Sequence, residues 1–154
     1  SFLAAKIIDR FDDTISVLPA ISAFIPLIGS TGGNVGIQSS SLIVQSLADK
    51  SGLDTTLGKR LQKVILVALI NALIAGIFAF GCSILVVSGE LMLAFTVSLS
   101  LFAVVMLASL MGTITPLVLN QLKINPAVAS GPFITTTNDI LGYGVYFLIV
   151  YWLL

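Results

Sequence analysis

Residues 126–154, PAVASGPFITTTNDILGYGVYFLIVYWLL, close the chain with one charged side chain, Asp139, flanked by fifteen uncharged residues on either side. About 20 predominantly apolar residues suffice to cross a bilayer, so this stretch reads as a membrane span with an acid at its middle. Holding a charge there costs roughly 2.5–3.5 kcal/mol even on the lenient insertion scale. A bound cation, a water-filled path or protonation must offset that cost.

Working outward, no charge occurs between Asp13 and Asp49, between Lys63 and Glu90, or between Glu90 and Lys123. Each interval holds one span, and the expected spans are residues 14–48, 64–87, 91–119 and 126–154. Composition agrees: 57% of residues are hydrophobic and 9% charged, with mean hydropathy +1.12. A soluble surface takes roughly a quarter of all residues as charges. The expected fold is therefore all-α, a polytopic helical membrane protein with one transmembrane ion-transport domain over residues 1–154. Residues 1–8 are apolar but short and read as the tail of a fifth span, with an incomplete N-terminus.

Net charge is zero with no basic patch, so nucleic acid is not an expected partner. The lone Cys82 can form no internal disulfide, and without histidine neither a zinc-protease motif nor the usual proton shuttle is possible. An intramembrane aspartyl protease needs two membrane carboxylates, and the spans hold one; an enzyme is not expected. Lys50, Lys59, Arg60, Lys63 and Lys123 fall on one side of the alternating spans, Lys6 and Arg10 on the other. The positive-inside rule puts the first group in the cytoplasm and turns the C-terminus outward. The setting is then a cell membrane, in a bacterium the inner one.

The first span is not a simple helix in sequence. Pro19 and Pro26 each withhold a backbone donor, and residues 29–36, GSTGGNVG, are poor in helix propensity. Irregular backbone at membrane depth persists only where protein buries it or it lines a cavity. Gly33, Asn34 and Gln38 are thus candidate pore-lining residues, the last two a turn apart with neutral amide oxygens. Close packing through Gly32 and Gly36 is the competing reading. In the last span, Gly131, Thr135, Asp139 and Gly142 share a helical face, and Pro132 interrupts the hydrogen-bond ladder, so the pore-lining helices are expected to be kinked. One carboxylate, hydroxyls and bare carbonyls make a lining that hard cations prefer, and Mg2+ keeps its waters while taking one or two carboxylates. A protonated Asp139 bonded to Thr135, Thr136 or Tyr143 is the bland alternative.

Two stretches carry a family resemblance: 26–38, PLIGSTGGNVGIQ, and 126–139, PAVASGPFITTTND. In that order and at that separation they resemble the membrane domain of the MgtE family of magnesium channels and transporters. The resemblance implies a homodimer with the pore between subunits, and a hydrated Mg2+ held against the last-helix aspartate of each. Asp139 matches that aspartate; Gly131 and Thr135, through backbone oxygen, and Asn34 match the neighbouring metal positions. Three departures stand out: the shortened first span, Asn125 where an acid often precedes the PA motif, and the absence of cytosolic regulatory domains. The alternative function is an H+- or Na+-coupled secondary transporter using Asp139 as the coupling-ion site; a non-transporting scaffold is a third. Oxygen ligands do not separate Mg2+ from Mn2+, Co2+ or Ni2+.

Overall fold

The computed structural model describes residues 2–10, 19–48, 57–86, 90–129 and 131–154, and among these there is no strand. The helices are α1 (Phe2–Arg10), α2 (Pro19–Ser22), α3 (Ile25–Ala48), α4 (Leu57–Val86), α5 (Leu91–Gln121) and α6 (Pro132–Leu153), with a 3-10 turn at Pro126–Ala129. Four helical segments among the described residues are long and apolar enough to cross a membrane. They match the four expected spans, the third running on to Gln121. Residues 14–18 of the first expected span lie outside the described residues. Nine-residue α1 covers about 14 Å at 1.5 Å per residue, continues through Asp9 and Arg10, and packs on α6.

Two expectations about the backbone change. The glycine-rich run is not irregular; it lies within the continuous helix Ile25–Ala48. Glycine costs about 1 kcal/mol per residue in a helix, and close packing offsets this here. A Cβ on Gly36 would collide with the Asn138 amide and, at 2.9 Å, with Ile134 Cγ2 on α6; one on Gly112 would collide with the Gly36 carbonyl. Gly36 is thus pinched between α6 and α5. Of the prolines, Pro26 and Pro132 stand in the first turns of α3 and α6, and Pro116 lies buried inside α5. Pro26 cannot donate to the carbonyl four residues back, and the helix is interrupted by a turn at Ala23–Phe24 before α3 begins. Pro132 is the first residue of α6, preceded by Gly131 at φ +44°. Asn125 does cap as expected, its Oδ1 accepting the Ala127 N–H at 3.0 Å. The helix it opens is the short 3-10 turn and not the start of a continuous span.

α5 is the central element, packing on α3, α4 and α6. Some of its hydroxyls are satisfied within the helix: Ser100 Oγ donates to the Thr96 carbonyl at 2.7 Å and Thr113 Oγ1 to the Ser109 carbonyl at 2.8 Å. α4 packs chiefly on α5, through a buried stripe of Ala68, Ala72, Gly76, Ala79 and Ser83. Small residues let two backbones approach, and Ser98 Oγ donates across the seam to the Gly76 carbonyl at 2.7 Å. The remaining surface of α4 exposes Leu66, Ile70, Leu73, Ile77 and Phe78, a face for lipid.

The apolar core gathers at one end of the bundle, where Ile21, Ile28, Leu93, Val97, Val104, Phe147 and Val150 are buried. Tyr146, also fully buried, donates its hydroxyl to the Ile21 carbonyl at 2.8 Å. That bond pins α2 to the far end of α6.

Gly36→Ala is expected to destabilise the protein by about 1–3 kcal/mol, the usual cost of overpacking. Gly144→Ala, where a Cβ meets nothing within 4 Å, should cost nothing and gain up to about 1 kcal/mol of helix propensity. Tyr146→Phe should lose about 0.6–1.7 kcal/mol, the measured scale of hydrogen bonds between membrane helices. Denaturant titration in detergent micelles reads all three.

Candidate cation site

α3 and α6 run antiparallel. Gly29 approaches Tyr143, Gly33 approaches Thr135 and Gly36 approaches Ile134 and Asn138, so numbering rises on one helix as it falls on the other. Asp139 lies four residues from both Thr135 and Tyr143, hence near the level of Gly32 and Gly33 at mid-helix. It is half-buried. Among the described residues its carboxylate has no hydrogen-bond or ion-pair partner, so the bonds to Thr135, Thr136 or Tyr143 of the bland reading are not made.

Thr135 Oγ1 instead donates to the Gly131 carbonyl at 2.9 Å, the same oxygen that accepts the Thr135 N–H at 2.9 Å. The hydroxyl oxygen of Thr135 keeps its lone pairs for a water or ion. Pro132 is exposed and Gly131 half-buried at the entry to α6. Gly33 is buried, with Thr135 Cγ2 only 3.3 Å from where its Cβ would stand; it is a contact surface between the two helices. Asn34, next to it, is exposed. Gln38 is also exposed and borders a lateral cavity between α3, α4 and α5. The fold therefore sets Gly33 against Thr135 on the α3–α6 seam, ties Thr135 to the Gly131 carbonyl, leaves Asp139 one helical turn further along α6, and turns Asn34 and Gln38 outward.

Two features escaped the sequence reading. On α3 the exposed face is polar nearly throughout: Ser30, Asn34, Gln38, Ser41 and Gln45 are exposed at successive turns, while Gly32, Gly36, Ser40 and Ile43 are buried opposite. The i, i+4, i+7, i+11 spacing of Asn34, Gln38, Ser41 and Gln45 was there to be counted. The second is Asn138, 3% exposed, whose Nδ2 donates to the Gly32 carbonyl at 3.4 Å. Its Oδ1 is buried without a hydrogen-bond partner among the described residues. This amide ties α6 to α3 one residue from Asp139. An uncharged amide in a span was the available signal, and the adjacent carboxylate drew attention from it.

Among the described residues no group of three or more His, Cys, Asp or Glu side chains could hold a metal ion. One chain thus offers a single carboxylate with neutral oxygens around it. Such a set suits a cation that keeps its water shell better than one stripped and caged.

The family model of divalent cation transporters, MgtE, matches residues 25–149. The chain is 31% identical over 145 residues to the magnesium transporter MgtE of Bacillus subtilis (strain 168), an alignment covering 94% of this chain and 32% of that protein. It is 32% identical over 147 residues to the magnesium transporter MgtE of Enterococcus faecalis, covering 93% and 31%. The corresponding protein of Thermus thermophilus is 30% identical over 145 residues, covering 94% and 32%. The chain spans about a third of the length of these curated relatives. The matched region takes in α3 to α5 and α6 as far as Ile149. The chain belongs to the MgtE family of divalent cation transporters.

Proposed function

We propose that this chain passes hydrated Mg2+ across a cell membrane through a pore formed between two copies of itself. Asp139 of each copy is the cation-binding residue, Asn34, Gly131 and Thr135 contribute neutral oxygens, and Gly33, Gln38 and Pro132 border the path. The observation that carries this reading is the exposed polar face of α3, Ser30 to Gln45. The amides of Asn34, Gln38 and Gln45, turned outward at membrane depth, cannot face hydrocarbon without losing hydrogen bonds, at several kcal/mol each. A water-filled path shared with a second copy satisfies them. Names of the relatives support the choice of Mg2+.

Stoichiometry supports the pairing. One carboxylate leaves a divalent ion half-neutralised, whereas a two-fold axis beside α6 sets two Asp139 side chains against it. At an effective dielectric of about 20 and about 4 Å, each carboxylate gains of order 8 kcal/mol against a +2 ion. Intervening water lowers that figure, and a conducting site must release what it binds. The lysine-bearing side, Lys63 and Lys123, faces the cytoplasm in this reading and the C-terminus faces outward.

Proteoliposomes carrying the chain are expected to take up Mg2+ under a membrane potential alone, and Asp139→Asn should cut the rate more than about tenfold, a loss of roughly 1.4 kcal/mol or more. Sizing in detergent should give a dimer for both. Equal uptake by wild type and variant would remove Asp139 from the path. Uptake that requires a proton or sodium gradient would favour coupled transport instead.

A further inference from the structure

A cavity of about 530 Å3 opens between α3, α4 and α5, away from the α3–α6 seam that carries the candidate cation site. It exists because α4 packs chiefly on α5 and leaves a gap beside α3. Leu42, Val64 and Val67 form apolar walls, and Asn71, Ser109 and Thr113 form a polar floor. At the back Ser39 and Ser109 share a hydrogen bond of 3.2 Å between α3 and α5.

Among the described lining residues the only charge is Lys63, which is exposed. A vestibule for Mg2+ would not be lined by a lone cation, so the ligand carries negative charge or none. Depth narrows the choice. Lys63 to Asn71 is eight residues of α4, about 12 Å along the helix axis, and half of a hydrocarbon core is about 15 Å. The cavity thus begins at the level of lipid headgroups and ends within the same leaflet. In sequence Lys59 and Arg60 precede Lys63 in the first turns of α4, adding positive charge to the same end of that helix. Basic pockets between spans are a recurrent way of holding anionic headgroups.

From this we infer that the α3–α4–α5 cavity is a binding site for an anionic phospholipid of the leaflet adjoining Lys63. The headgroup phosphate sits against the Lys63 ammonium, and the upper acyl chain lies along Leu42, Val64 and Val67. Glycerol and ester oxygens reach the Asn71 amide. The site is independent of the transport proposal. It shares α3 with the candidate pore, since Gln38 borders both, so its occupant props the pore helix from behind.

Native mass spectrometry of the whole chain in micelles, with phosphatidylglycerol set against phosphatidylcholine, tests this directly. Phosphatidylglycerol should bind with an excess of about fivefold, the effect of one cation near the membrane surface. Lys63→Gln should abolish the excess and Lys63→Arg should keep it. Leu42→Trp, which fills the mouth from an exposed position, should remove one bound lipid. Equal binding of the two lipids, or an excess that survives Lys63→Gln, would overturn the site. Displacement of the lipid by inorganic phosphate would make it a free-anion site, and loss of the dimer instead of the lipid in Leu42→Trp would assign the cavity to a second copy; either result overturns the proposal.

Discussion

The arrangement hangs on one point of close approach, where Gly36 of α3 sits between Asn138 of α6 and Gly112 of α5. In hydrocarbon there is no hydrophobic drive between apolar helices, because lipid tails solvate them as well as protein does. What holds three spans together is van der Waals contact at small residues and a few polar bonds. With α3 buried through its glycines, its amides and hydroxyls are left on the opposite side. The same contact sets the antiparallel register that brings Asp139 beside the middle of α3. Packing face and chemical face are two sides of one helix, and choosing the first decides the second.

The bundle also differs from end to end. Around Ile21, Val97, Tyr146 and Phe147 it is apolar, closed and pinned by a buried hydroxyl. Toward Lys63 it loosens into the cavity between α3, α4 and α5, with serines and an asparagine along the floor. The small-residue stripe of α4 accounts for the difference, since it matches α5 closely and offers α3 little.

The number, order and limits of the spans were legible because charge in hydrocarbon is so costly that gaps between charges mark the crossings almost by themselves. Residues 64–87 and 91–119 come within a few positions of the observed ends, apart from the polar first turns of α4. The mid-span place of Asp139 was legible for the same reason. The conformation of residues 29–36 was not: a glycine reads as helix-breaking until its partner is known, and Asn138, Val104 and Thr135 lie about seventy to a hundred residues away in sequence. Pro132 misled similarly, since a proline within a span or at its first residue looks alike until the preceding turn is seen. Asn138 was overlooked because an amide carries no charge to flag it, although its burial makes it as consequential for the seam as the carboxylate beside it.

The spans also differ as membrane anchors. Gln62–Val86 and Leu91–Gln121 reach mean hydropathies of 2.6 and 2.5, whereas Ala20–Ala48 and Pro132–Leu153 reach only 1.3 each. The two helices with the polar face and the aspartate are thus the pair least able to enter a bilayer unaided. During biogenesis α4 and α5 can partition into lipid as they leave the translocation machinery, while α3 and α6 depend on α5 for company. A change that weakens the glycine contacts would then show first as failed insertion, before any folded protein existed whose transport could be measured.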